Sequence, residues 1–150
     1  MGHTFSRILL HVVFSTKGRR NCLYRDMRGD LLGYLHGIAR NEGVHILSAG
    51  AVEDHVHMLL VVKPAHAPSE VVKTLKANSS RWIHETYADL GDFAWQSGFG
   101  VFSVSESATG SVITYIDRQE EHHRRVPFEQ ELRLFLEKHG VEHDPEHYLD

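Results

Sequence analysis

EDHVHMLLVV, residues 53–62, is the stretch on which the fold turns. Glu53-Asp54 reads as a tight turn. The eight residues after it are mostly aliphatic and β-branched, and Pro64 stops the run, which predicts a strand over 55–62. Side chains alternate along a strand, so Val56, Met58 and Leu60 share the core face and His55 and His57 share the other. Upstream, VHILSAGAV (44–52) predicts the strand that pairs with it across the turn. Before that, Met27, Leu31, Leu35 and Ile38 recur at helical spacing over 24–42, with Gly43 as the stop. RILLHVVFST (7–16) alternates Ile8, Leu10, Val12 and Phe14 against Arg7, Leu9, His11 and Val13, a strand apolar enough to be covered on both sides.

Downstream the period returns to 3.6. Ser69 is placed to cap a helix whose apolar face is Val71, Val72, Leu75, Trp82 and Ile83. FAWQSGFGVFSV (93–104) reads as an aromatic strand or hairpin bent at Gly98 and Gly100. A third helix runs from Ser107 to about His123, and a fourth covers 128 to Lys138 behind Pro127. The order βαββαβ followed by helices predicts an α+β, ferredoxin-like antiparallel sheet with helices on one face, plus C-terminal helices. Such a sheet leaves its other face free for a ligand or partner. Many functions use this arrangement, so function has to be argued from particular residues.

The 150 residues, with 41% hydrophobic and 24% charged side chains, predict one soluble domain spanning 1–150. No apolar run is long enough to span a membrane, and His11 interrupts the N-terminal one, so neither a membrane segment nor a signal peptide is expected. The lone Cys22 excludes a disulfide scaffold and fits a cytoplasmic location. Residues 127–150 carry seven acids (Glu129, Glu131, Glu137, Glu142, Asp144, Glu146, Asp150) against Arg133 and Lys138, so the net charge of −4 conceals a slightly positive remainder. Whole-chain charge therefore neither supports nor forbids a nucleic-acid surface.

Two groups of residues carry chemistry. Thirteen histidines are a heavy imidazole load, and His55 and His57, side by side on one strand face, can hold a metal ion between them. Two histidines satisfied by hydrogen bonds would look the same. The second group lies in TYIDRQEEHH, 114–123. Tyr115 and Gln119 are four apart and hence neighbours on one helix face. A phenol with a free pKa of about 10 is a weak nucleophile, but beside a metal-bound phosphate it can attack phosphorus. The commoner fate of a helix tyrosine is half-burial in a core.

Five blocks in this order, HVVFSTKGRR (11–20), EDHVHMLLVV (53–62), LKANSSRWI (75–83), WQSGFGVFSVS (95–105) and YIDRQEEHH (115–123), carry a resemblance. The sequence resembles the single-tyrosine transposases of the smallest bacterial insertion sequences, the IS-two-hundred-like group, and the REP-associated tyrosine transposases. Both are HUH nucleases, named for His-hydrophobic-His. The resemblance implies that His55 and His57 are metal ligands, that Tyr115 is the nucleophile and that Gln119 is the third ligand. It further implies a homodimer, in which the tyrosine helix of one subunit can serve the histidine pair of the other. The implied activity is cleavage and rejoining of single-stranded DNA beside hairpins through a 5′-phosphotyrosine. The metal is a divalent ion, and since Mg²⁺ prefers all-oxygen shells, Mn²⁺ should fit a mixed site at least as well. The acidic tail is a departure that bears on the strength of DNA binding.

Lys17, Arg19 and Arg20 after the first strand, and Lys73, Lys76 and Arg81 on the second helix, are candidate phosphate contacts, with a solvated surface as the competing reading. Trp95, Phe99 and Phe102 are candidates for stacking on bases, Phe102 being better placed in the core. His11, His122 and His123 are candidates to support the site. A nickase or replication initiator is the neighbouring enzyme reading, but the lone tyrosine in Tyr115-Ile116 favours the transposase. From another class, a non-catalytic single-stranded nucleic-acid-binding module or host-adopted relative predicts binding that ignores metal and survives His57→Ala. A histidine-rich metal-binding structural protein predicts tight Zn²⁺ binding and no DNA affinity.

Overall fold

In the computed structural model, which describes residues 2–146, 148 and 149, four strands form one antiparallel sheet in the order β2-β3-β1-β4. They are β1 (Ile8–Ser15), β2 (His45–Ala51), β3 (His55–Val62) and β4 (Gly100–Val104), with α1 (Arg25–Asn41) after β1 and α2 (Pro68–Thr86) after β3. The expected α+β, ferredoxin-like βαββαβ order is present. α3 (Thr109–Asp117), α4 (Gln119–His123) and α5 (Phe128–Lys138) follow it. Asp150, counted above with the acidic tail, lies outside the described residues. Among those residues no helix is long and apolar enough to cross a membrane.

The central strands β1 and β3 carry apolar residues on both faces, and both faces are covered. On one, Val12, Phe14, Val56, Met58 and Leu60 pack with Leu31 and Leu35 of α1 and Val72, Leu75 and Ile83 of α2. On the other, Leu9 and Leu59 meet Ile116 of α3, while Val13 and Phe102 meet Phe128 and Leu132 of α5. The face that this topology can leave open is thus covered by the chain's own C-terminal helices. Burying Leu9, Val13 and Leu59 there removes apolar surface that would otherwise face water.

Three local expectations shift. α2 starts at Pro68 with Ala67 at its cap, so Ser69 does not cap it; proline at the first helical position presets φ and has no N–H to satisfy. The third helix breaks at Arg118 (φ −101°, ψ 17°) into α3 and α4. Ser48 of β2 donates to the Asp117 carboxylate at 3.2 Å, tying the end of α3 to the sheet. Residues 93–99 are not a strand; they strap the end of β1, with Lys17 N–H donating to Ala94 and Gln96 N–H to Ser15, each at 2.9 Å. The strap buries Trp95 edge-on to Phe14. β4 begins only at Gly100, where a Cβ would stand 2.9 Å from Val13 Cγ1.

Candidate active site

His55 and His57 lie at the start of β3, opposite Ser15 and Val13 of β1, and both are fully buried. Their rings project to the side covered by α3–α5, as the two-residue spacing requires. Each Nδ1 has a partner. Asp54 Oδ1 accepts from His55 Nδ1 at 2.6 Å, which leaves the His55 Nε2 lone pair facing inward. His57 Nδ1 lies 2.8 Å from Nε2 of His11, and His57 Nε2 lies 2.8 Å from Glu131 Oε1.

Burial pushes His11 down to about 3 and His57 to about 4, neighbouring imidazoles adding to the effect in both, so both rings are neutral near pH 7. Burial would raise Glu131, but hydrogen bonds from His123 and His57 outweigh it and hold the carboxyl well below the usual carboxylate range. An ionised carboxylate only accepts. His57 must therefore carry its proton on Nε2, and His11 must donate from Nε2 to His57 Nδ1. The result is an ordered chain, His11 to His57 to Glu131.

Tyr115 reaches this chain because α3 lies close on β2. A Cβ on Gly50 would be 2.7 Å from the carbonyl oxygen of Ile116, so only glycine allows that approach. The Tyr115 ring meets the His57 ring edge-on at 5.7 Å between centroids. Its hydroxyl donates to Glu131 Oε2 and sits 3.3 Å from His122 Nε2. Burial and then the Glu131 charge raise the phenol above its ordinary value, so it is protonated at rest.

Gln119, one residue past the helix break, still bonds back to the Tyr115 carbonyl through Nε2 at 3.3 Å. It is buried, and its Oε1 has no hydrogen-bond partner. A buried amide oxygen without a partner is free to take a ligand, and in kind an amide oxygen and two imidazoles fit a divalent ion.

His123 and Glu131 join the same centre. His123 Nε2 is 2.9 Å from His55 Nε2 and 3.1 Å from Glu131 Oε2. Donor atoms of His55, His57, His123 and Glu131 all lie within 4.8 Å of one another. His11, His122 and His123 thus all lie in contact with this group, at His57, Tyr115 and His55 respectively. Glu131 is the residue that sequence reasoning missed, taking it for one acid of an acidic tail. The signal was in its helix: three residues after Phe128 and four before Phe135, Glu131 falls on the apolar stripe of α5 and is buried there.

The six candidate phosphate contacts fare differently. Arg19 pairs with Glu129 and Arg20 with Asp92, each at 3.0 Å. Lys76 donates to the carbonyls of Gln96 and Gly98 inside the 93–99 strap, and burial lowers it to about 8, so it is a tether for that strap. Arg81 donates to Asn78 at 2.8 Å; Lys17 and Lys73 are exposed. Of the aromatics, Trp95 and Phe102 are buried, and Phe99 is 39% exposed beside Lys76. Arg118 and Arg125 escaped notice in the sequence. With Ser111, Thr114, Tyr115 and His122 they line a cleft of about 400 Å³ that opens beside the phenol.

Residues 4–119 match the family model described as "Transposase IS200 like". The chain is 31% identical over 125 residues to the transposase for insertion sequence element IS200 of Salmonella typhimurium, covering 79% of this chain and 81% of that one. It is 29% identical over 114 residues to the ISDra2 transposase TnpA of Deinococcus radiodurans, covering 73% and 81%. A crystal structure of a Deinococcus radiodurans chain described as a transposase superposes with a TM-score of 0.66 at 27% identity, over 79% of this chain and 96% of that one. A REP-associated tyrosine transposase bound to a REP hairpin shares the fold, with a TM-score of 0.62 at 14% identity over 84% and 74% of the two chains. With the match running from the first strand through the tyrosine and on to Gln119, the chain belongs to the IS200-like transposase family.

Proposed function

We propose that this transposase cleaves and rejoins single-stranded DNA at hairpin-flanked ends, with Tyr115 as nucleophile and a divalent ion at His55, His57 and Gln119, as one domain over 1–150. The observation that carries the reading is the Tyr115 phenol set against its own chain's histidine pair, with a carboxylate already on its proton. Tyr115 Oη forms the bond to phosphorus and gives its proton to Glu131 Oε2. The bond from phosphorus to the 3′-oxygen breaks, and that oxygen leaves as a hydroxyl, taking a proton from solvent. A 5′-phosphotyrosine replaces one phosphoester with another, so a 3′-hydroxyl can reverse the step and join strands. The ion, Mg²⁺ or Mn²⁺, would supply Lewis acidity and orientation at the non-bridging phosphate oxygens.

The chain's residues prepare this step. Asp54 and His11 aim the two imidazoles. Phe128 and Phe135 lie against His55 and His57 and keep water from the inner side. Arg118 and Arg125 face the cleft beside the phenol, where they meet phosphates of the approaching strand. The homodimer implied by the resemblance belongs to the proposal, each protomer carrying a site complete in itself.

The test is a covalent trap. Protein, Mn²⁺ and labelled single-stranded DNA from the gene's own flanks, with a hairpin pool, are run on a denaturing gel. A slow band lost with Tyr115→Phe and with a chelator supports the proposal. A band that survives Tyr115→Phe overturns the nucleophile. No band on DNA that the protein binds without metal favours the non-catalytic binding module.

A further inference from the structure

From the convergence of His123 Nε2 and Glu131 Oε1 on the histidine pair, we infer that both residues are metal donors in the DNA-free protein, giving a site of three imidazoles and one carboxylate. The inference rests on the reading of His55 and His57 as metal ligands and adds two donors from α4 and α5.

Four observations carry it. One donor atom from each of His55, His57, His123 and Glu131 lies within 4.8 Å of the others, with Nε2 of His55 2.9 Å from Nε2 of His123 and Nε2 of His57 2.8 Å from Glu131 Oε1. The set is closed off from solvent: His55 and His57 are fully buried, and the His123 and Glu131 side chains are 4% and 3% exposed. The other ends of His55 and His57 are held by Asp54 and His11, so the inward nitrogens are already aimed. The two carboxylate oxygens also have separate tasks. Oε1 faces His57, while Oε2 takes the Tyr115 hydroxyl and His123. Glu131 can therefore ligate through one oxygen and keep the nucleophile's proton on the other.

Loading moves protons in a defined way. For His57 Nε2 to become a donor, the ring's single proton must move from Nε2 to Nδ1, facing His11. His11 Nε2 then accepts where it formerly donated, its own proton moving to Nδ1. In His123 the proton likewise moves from Nε2 to Nδ1. Because a neutral imidazole keeps one proton on the outer nitrogen, ring tautomerisation through solvent suffices, and uptake need release no net proton. Three nitrogens and one carboxylate favour Co²⁺, Zn²⁺ and Mn²⁺ over Mg²⁺, which prefers oxygen shells.

The test is a Co²⁺ titration of chelator-treated full-length protein without DNA, read by calorimetry and by visible absorption of the ion. Wild type, Glu131→Gln, His123→Ala and His57→Ala are compared, and metal-free melting temperature controls for folding. Glu131→Gln and His123→Ala each weakening Co²⁺ by tenfold or more, with an altered absorption band, supports the inference. If both bind Co²⁺ with wild-type affinity and spectrum while His57→Ala does not, the added donors are wrong and the histidine-pair reading stands. If wild type takes no Co²⁺, or His57→Ala binds it equally well, the histidine-pair reading falls and the inference with it. Should Glu131→Gln fail to fold, His123→Ala decides alone.

Discussion

Gly50 lies opposite His57 in the β2–β3 ladder, and the carbonyl oxygen of Ile116 stands 2.7 Å from where a Cβ on Gly50 would be. One glycine therefore sets the height of the tyrosine helix above His57, a proposed metal ligand. Gly50→Val has to lift α3 off β2, since the obstacle is backbone. A misplacement of about 1 Å at a reacting group costs on the order of 100-fold in rate. The expected result is a loss of that size in phosphotyrosine formation with Co²⁺ affinity retained. An unchanged cleavage rate would show that α3 is not held at that height during the reaction.

His11 acts through His57, whose Nδ1 it holds at 2.8 Å. His11→Phe keeps the ring volume and removes the bond. Metal affinity measured by calorimetry should fall about 10- to 100-fold, and His11→Gln, which can still bond to Nδ1, should recover part of it.

Acid should destabilise the metal-free protein in two stages. His11 and His57 titrate near 3 and 4 when folded, against about 6.5 unfolded. The unfolded state thus binds protons first, and stability is present above pH 6.5 and lost as pH falls towards 4. Glu131 is also depressed, so its contribution goes only below its unfolded value of about 4.3. Melting temperature across pH 8 to 3 should begin to fall near 6.5, and His11→Phe should shrink that first stage.

Arg118 and Arg125 line the cleft beside the phenol. If each neutralises one phosphate, the double alanine variant should flatten the slope of log affinity against log salt by about 1.4 on single-stranded DNA. Tyr115→Phe should leave the slope unchanged. Equal slopes in the double variant and wild type would place the strand elsewhere.

The tyrosine and histidine pair meet within one chain. Mixing Tyr115→Phe with His57→Ala protein should therefore leave strand cleavage absent. Recovered cleavage would mean that the tyrosine helix crosses to a partner's site.

What could be read in advance follows the range of the interactions. His55 and His57 were legible because a strand's two-residue period is local, and Tyr115 and Gln119 because four residues make a helical turn; the turn survives the break at Arg118 through the bond from Gln119 to the Tyr115 carbonyl. Lys76 was misleading for the same reason. Helical spacing puts it on a wet face, but a loop 20 residues on lays the carbonyl of Gln96 over it. Glu131 was hidden by its company, since an acid among six others reads as solvation until α5 is seen lying on the sheet.

The chain His11, His57, Glu131 joins residues 46 and then 74 positions apart, so the carboxylate leaves the ribosome long after the two rings that it joins. A nascent chain halted before α5 has its histidines and its tyrosine but lacks the carboxylate that orders them. Order at this centre therefore waits for α5, and a copy truncated ahead of that helix would hold the rings and the phenol without the carboxylate that joins them.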